Sequence, residues 1–348
     1  MKSLRLLALI CCFAHAASAQ GPLLIGDVVA RETGQPLEHA MVTVLSAERQ
    51  TFTSETGVFA FRGLGPGSYR LHVTHLGYSP SDVTVNVPES GALPRLKVTL
   101  ARISVQLATV KVLAKPVCTN PGRPDPALNP DLAAIVQQVR MNAEHYQLLA
   151  DSFPFAYQVE RSFRMVRKDS GRGMARFDTL HMRSDLHGWE YQMGEMVERE
   201  RNGAYIMHLP TLRDFAGIQF LNNHCFWYSG SEVVDGSNAI RIDFRADDQI
   251  RRPDVNGTIW LDAATYQIKM ADLELSKLLP QIEEITAVHV RTYFGEVSPS
   301  IVIIQRVVGT NSLKHSWVPW STVASMEEQH MTAFSWIRDD PRKGAAQP

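Results

Sequence analysis

Little in this sequence announces a chemistry. Four cysteines occur in 348 residues, and two of them, Cys11 and Cys12, sit in the first apolar stretch. Neither Cys118 nor Cys225 has a second cysteine at ligand spacing, which excludes a cysteine-held zinc cluster. The 35 Lys and Arg nearly balance the 36 Asp and Glu, and no basic block alternates with aromatics. That excludes the electrostatic footprint of a nucleic-acid binder. No His-Glu-x-x-His, Gly-x-Ser-x-Gly or phosphate-cradling glycine loop is present, so the motifs that mark zincins, serine hydrolases and P-loop enzymes are missing. No cofactor is expected. After the first 19 residues no apolar run reaches the roughly 20 residues of a membrane-spanning helix.

What is present begins with a leader. Lys2 and Arg5 precede an apolar run from Leu4 to Phe13, and Ala17-Ser18-Ala19 offers a small-residue cleavage site before Gln20. This pattern predicts a secretory signal peptide over residues 1–19. Cys11 and Cys12 invite a lipoprotein reading, but Ala8-Leu9-Ile10 places no small residue beside Cys11, so cleavage after Ala19 is favoured. Loss of Lys2 and Arg5 moves the formal net charge from −1 to about −3. The expected location is the periplasm or the outer-membrane surface.

Residues 20–113 read as a seven-stranded β-sandwich. Alternating runs at Leu24–Ala30, Met41–Leu45, Val58–Phe61, Tyr69–Thr74, Val83–Val87, Leu96–Leu100 and Val105–Val112 are separated by Gly and Pro turns, the spacing of an antiparallel sandwich. Alternation places Tyr69, Leu71 and Val73 on one face and Arg70 and His72 on the other. Phe59, Phe61 and Tyr69 are expected core aromatics. The order of Thr33-Gly34-Gln35-Pro36, Gly57-Val58-Phe59, Pro66-Gly67-Ser68-Tyr69 and Leu76-Gly77-Tyr78 resembles the carboxypeptidase regulatory-like domain. That resemblance implies a transthyretin-like accessory fold, found beside secreted catalytic domains, and a docking module able to contact a glycan, a peptide or a protein.

Pro116, Pro121, Pro124, Pro126 and Pro130 make residues 114–130 a semi-rigid linker. Asn129 and Pro130 then have the identities of an N-cap and a first helical residue. Leu132, Ile135, Val136 and Val139 follow at helical spacing and predict one amphipathic helix to about Asp151. Beyond it lie candidate strands at Tyr157–Arg167, Met174–Arg183, Trp189–Glu198, Ala204–Leu209, Cys225–Ser229, Ala239–Arg245, Thr258–Asp262, Gln267–Leu275, Thr286–Phe294, Ser300–Val308 and Thr332–Ile337. Residues 131–338 are therefore expected to form a helix plus a large curled antiparallel sheet, the whole chain being mainly β, with a disordered tail at 339–348. Gly257-Thr258-Ile259-Trp260-Leu261-Asp262 is similar to a step of outer-membrane-lipoprotein-sorting carriers, whose curled sheet holds acyl chains. His224-Cys225-Phe226 resembles a step of secreted bacterial proteins that follow a regulatory-like domain with a β domain. On the residues alone, Asp262 is a turn carboxylate and Trp260 a core aromatic.

His187-Gly188-Trp189-Glu190 has the His-x-x-Glu spacing of zinc carboxypeptidases, with His289 and His315 downstream. However, it falls between candidate strands and ahead of no α/β context, so neither catalytic nor metal-binding residues are assigned. Cys118 and Cys225, the two thiols that would survive export, are a candidate disulfide, with two separate buried thiols as the alternative. The functional expectation is a non-enzymatic exported binding or scaffold protein of the cell envelope, its partner a protein, glycan or peptide. The alternative is a periplasmic carrier that holds an apolar ligand in the curled sheet. A packed core on the concave face of the sheet would favour the first, and an apolar cavity of several hundred Å³ there the second.

Overall fold

The computed structural model describes residues 23–89, 94–103, 117–165, 175–186, 188–201, 205–278, 285–298, 301–314 and 321–337. The expected leader, the strand at Val105–Val112, His187, His315 and the tail at 339–348 lie outside the described residues.

The first module comprises β1 (Leu23–Ala30), β2 (Met41–Val44), β3 (Arg49–Phe52), β4 (Val58–Arg62), β5 (Gly67–Thr74), β6 (Ser81–Val87) and β7 (Leu96–Leu100). They form two sheets, β4-β1-β7 and β3-β2-β5-β6. Two features depart from expectation. β3 was not anticipated, because Arg49-Gln50-Thr51-Phe52 buries only its last side chain and so carries no alternating apolar signal. β7 pairs with β1 in parallel, so the sandwich is not wholly antiparallel. Between the sheets Val28, Val42, Phe59, Phe61, Leu71, Val73 and Leu100 are buried together. On β5, Arg70 and His72 point outward to Asp82. Gly26 has no room for a Cβ, which would lie 2.4 Å from the Phe59 ring.

The second module opens with α1 (Pro130–Ser152), which has Pro130 in its first turn; Asn129 is the N-cap residue without a side-chain hydrogen bond. Then follow β8 (Phe155–Met165), β9 (Ala175–Arg183), β10 (Val197–Arg199), β11 (Tyr205–Met207), α2 (Ile218–Asn222), β12 (His224–Val234), β13 (Ser237–Ala246), β14 (Val255–Asp262), β15 (Ile268–Leu275), β16 (Ile285–Ser298), β17 (Ile301–Lys314) and β18 (Ser321–Trp336). Nine strands form one antiparallel sheet in the order β12-β13-β14-β15-β16-β17-β18-β8-β9. The sheet is open, with β12 and β9 at its edges. Register shifts interrupt the pairing in β12–β13, β14–β15 and each ladder from β16 to β8, and such irregularities increase local twist and let a wide sheet curl. The expected strand at Trp189–Glu198 is replaced by turns and the three residues of β10, because Tyr191 and Gly194 give their N–H groups to buried carboxylates rather than to a ladder. The expected strand at Thr332–Ile337 is the end of a 16-residue strand.

One face of this sheet is covered. Ile135, Val136, Val139 and Ala143 of α1 pack with Ile240, Ile242, Phe244, Ile259, Leu261 and Leu273, and with Phe215 and Phe220 from the segment around α2. Asn142 fixes the helix polar-to-polar: its Nδ2 donates to Tyr266 O at 2.9 Å and its Oδ1 accepts from Ile268 N–H at 2.9 Å. The far end of α1 holds the sandwich. Leu148 and Leu149 share a cluster with Met41 and Phe52 of the first module and with Phe155 and Ile303 of the sheet. Gln138 Oε1 accepts from Gly77 N–H at 2.8 Å, and His145 Nε2 lies 2.9 Å from His39 O. The helix thus serves as core for one module and seat for the other.

Candidate functional site

The sheet face that carries α1 extends beyond the helix, and there it forms a cleft of about 580 Å³. Cross-strand register explains its floor, because residues opposite one another on paired strands share a face. One row runs Leu273, Val290, Gly309, Glu327, Phe163 across β15, β16, β17, β18 and β8. The next runs Ala271, Thr292, Val307, Gln329, Arg161 and ends on Asp178 of β9. Leu275 and Val288 add further apolar surface, and the hairpin β10–β11 supplies a wall through Val197, Tyr205, Ile206 and Met207. Gly309 leaves the floor low: a Cβ there would meet only Val290 Cγ2 at 3.8 Å and Glu327 O at 4.0 Å. Ile206 and Leu278, each 40% exposed, flank the opening.

The cleft is chemically two-ended. Toward β15–β17 it is mainly aliphatic, with Thr310 and Asn311 as the polar residues of β17. Toward β18, β8 and β9 it is polar, and those polar groups hold one another. Arg161 Nε donates to Asp178 Oδ1 at 2.9 Å and Nη2 to Oδ2 at 2.5 Å, while Nη1 lies 3.9 Å from Glu327. Gln329 Nε2 donates to Glu327 Oε1 at 2.9 Å. The Arg161 fork holds the Asp178 carboxyl below its ordinary pKa.

A second polar constellation surrounds His224 and Asp254, and its burial argues for a structural part. His224 and Asp254 are both fully buried. The imidazole sets Nδ1 2.7 Å from Phe220 O and Nε2 3.0 Å from Val255 O, with Asp254 Oδ1 3.5 Å away. Asp254 also accepts from Tyr191 O–H at 3.0 Å, Gly194 N–H at 2.8 Å and Val255 N–H at 2.7 Å. Burial acts to raise the Asp254 pKa, but the bonds from His224 and the two backbone N–H groups outweigh it and hold the carboxyl low. Burial, then the Asp254 charge, pushes the Tyr191 phenol up. With Phe220 stacked 4.0 Å from His224, no face of this triad is open to a substrate.

Cys118 and Cys225 are joined as a disulfide with Cα atoms 5.5 Å apart. Asp248 N–H donates to Cys118 O and Gly122 N–H to His224 O, so the proline-rich segment is tied to the start of β12. Asp262 Oδ1 accepts from Ala264 and Thr265 N–H, closing the β14–β15 turn. Trp260 is buried on the opposite face of the sheet, with Ala239 and Met270. Of the zinc-like spacing, Glu190 is exposed, and His289 of β16 is paired with Asp272 of β15. Among the described residues no group of three or more His, Cys, Asp or Glu side chains is placed to hold a metal ion. A smaller polar hollow of about 330 Å³ lies between the modules, lined by His75, Tyr78, Arg102, His145, Gln267 and Glu296 among others. The cleft residues carry no local signature of a site, although Val288-His289-Val290-Arg291 shows the alternation that puts two valines on one face.

Residues 24–101 match the model of the carboxypeptidase regulatory-like domain, and the first module is of that kind. No curated protein matches the chain. Three solved structures are similar to part of this chain. A DUF1329 family protein from Desulfovibrio piger aligns over 58% of this chain and 93% of its own, at 9% identity and a TM-score of 0.31. A domain from Vibrio parahaemolyticus provisionally named for outer membrane lipoprotein sorting aligns over 59% and 91%, at 10% identity and 0.32. A LolA superfamily protein from Nitrosomonas europaea aligns over 61% and 97%, at 12% identity and 0.30. No helix among the described residues is long and apolar enough to cross a membrane.

Proposed function

We propose that this protein is an exported, non-enzymatic carrier that holds an apolar ligand in the cleft of its second module, with the sandwich fixed to it as an accessory module. The observation that carries the reading is the floor of the cleft. The same sheet face that α1 buries over β13–β15 continues past the helix at Val288 and Val290 of β16 and Val307 and Gly309 of β17, beside Leu275 of β15. A volume of about 580 Å³ falls within the range of small-molecule sites. Covering its apolar lining would contribute about 3 kcal/mol before the costs of association.

A fluorescent apolar reporter such as 1-N-phenylnaphthylamine tests this. The wild-type chain should bind about one equivalent, and Gly309→Trp, which fills the floor where a Cβ is accommodated, should abolish binding with the circular dichroism spectrum unchanged. Absent binding, or equal binding by wild type and Gly309→Trp, would contradict the proposal.

A further inference from the structure

We propose that the cleft discriminates by head group: it takes a single-chain amphiphile whose polar end is cationic or hydroxylated, and it disfavours a free carboxylate. This rests on the carrier reading and adds to it the chemistry of the ligand. The lining changes character across the strands. From β15 through β17 it presents Leu275, Val288, Val290, Val307 and Gly309, with Thr310 and Asn311 toward the end of β17; from β18 onward it presents Ser325, Glu327 and Gln329, and Phe163 and Arg161 of β8. An extended amphiphile lying across the strands therefore sets its chain on β15–β17 and its head on β18 and β8.

The charge at that end decides which head fits. Among the described residues lining the cleft, Arg161 and Glu327 are the charged ones. The guanidinium is already engaged: two of its nitrogens bind Asp178 in bidentate fashion, a geometry that satisfies a carboxylate and leaves little for a second one. Arg176, the next cation, stands on the edge strand opposite Phe163 and is not part of the cleft lining. Glu327 has no such fork of its own. Its partners are the Gln329 amide at 2.9 Å and the Arg161 Nη1 at 3.9 Å. An incoming carboxylate would face Glu327 with the Arg161 fork occupied. An ammonium would pair with Glu327, and a hydroxyl would donate to it.

Competition against the bound reporter measures this on the full chain, with dodecylammonium, dodecanol and laurate as competitors of equal chain length below their aggregation concentrations. Attraction for one head and repulsion of the other each act on the scale of a half-exposed ion pair, so dodecylammonium should displace the reporter at roughly ten-fold lower concentration than laurate. Glu327→Gln should reduce that preference to less than about three-fold and leave dodecanol unchanged, and added salt should shrink it in the wild type. Laurate binding as tightly as dodecylammonium, or a preference that survives Glu327→Gln, would overturn the head-group proposal while leaving the carrier reading intact. Failure of the reporter to bind the wild type would instead remove both.

Discussion

Acidification should loosen the seat of the sandwich on α1, through His145. This side chain reaches from the helix into the first module, with Nε2 2.9 Å from His39 O and its ring edge-on to Phe52 at 4.7 Å between centroids. Burial, reinforced by His75 and His39 nearby, lowers its pKa from 6.5 to about 3. His39 and His75 are lowered as well, each chiefly by burial. A histidine kept neutral in the folded state binds its proton more readily once released. Its contribution is therefore intact above about pH 6.5 and declines as pH falls from there toward the folded value. Each unit below 6.5 costs up to about 1.4 kcal/mol for His145, so pH 5.0 costs up to about 2 kcal/mol, an upper bound because the ring is only half-buried. Of the acids around this cluster, Glu38, Glu55 and Glu296, Glu38 opposes the trend: burial raises its pKa, and its protonation relieves strain at the acid end of the range. Asp254 and Asp272, both held low, stay ionised and leave the slope unchanged. Urea unfolding followed by circular dichroism between pH 7.5 and 5.0 measures the effect. His145→Gln, which keeps a donor for His39 O, should flatten the pH dependence. Identical slopes for His145→Gln and wild type would refute the reasoning.

Three further outcomes follow from the packing. Replacing Cys118 and Cys225 together by alanine frees a loop of 107 residues and should cost about 4–5 kcal/mol in the chain-entropy account, read as a lowered urea midpoint. Phe155→Ala removes a ring that is fully buried and in contact with Tyr146, Tyr157, Phe334 and Trp336, a loss of about 3–5 kcal/mol that calorimetry should register. Asp254→Ala strips the acceptor from Tyr191, Gly194 and Val255 and isolates buried His224, so the unfolding free energy from urea titration should fall by about 3–5 kcal/mol; a loss below about 1 kcal/mol would show the triad to be dispensable.

The parts legible in the sequence are those where local chemistry and tertiary structure agree. Gly57, Gly67 and Gly77 turn at positive φ, and the strands they separate were readable from alternation. Ile240-Arg241-Ile242-Asp243-Phe244 announces its buried face directly, and Asn129-Pro130 marks the start of α1. β3 was not legible, since its pairing with β2 is held by the ladder and not by an apolar face. The parallel β1–β7 contact joins residues some seventy positions apart and leaves no local trace. Likewise, the cleft is a property of register. Val290, Gly309 and Glu327 become neighbours only through two successive antiparallel ladders with bulges, and no spacing along the chain encodes that adjacency. Tyr191 and Gly194 broke an expected strand because Asp214 and Asp254, distant in sequence, compete for their N–H groups.

Native mass spectrometry of the protein recovered from its own cells tests the carrier reading most directly. A carrier should show a population heavier than the bare chain by the mass of one amphiphile, released on activation and lost in Gly309→Trp. Protein that flies only at its bare mass, or an adduct equally present in Gly309→Trp, would contradict it.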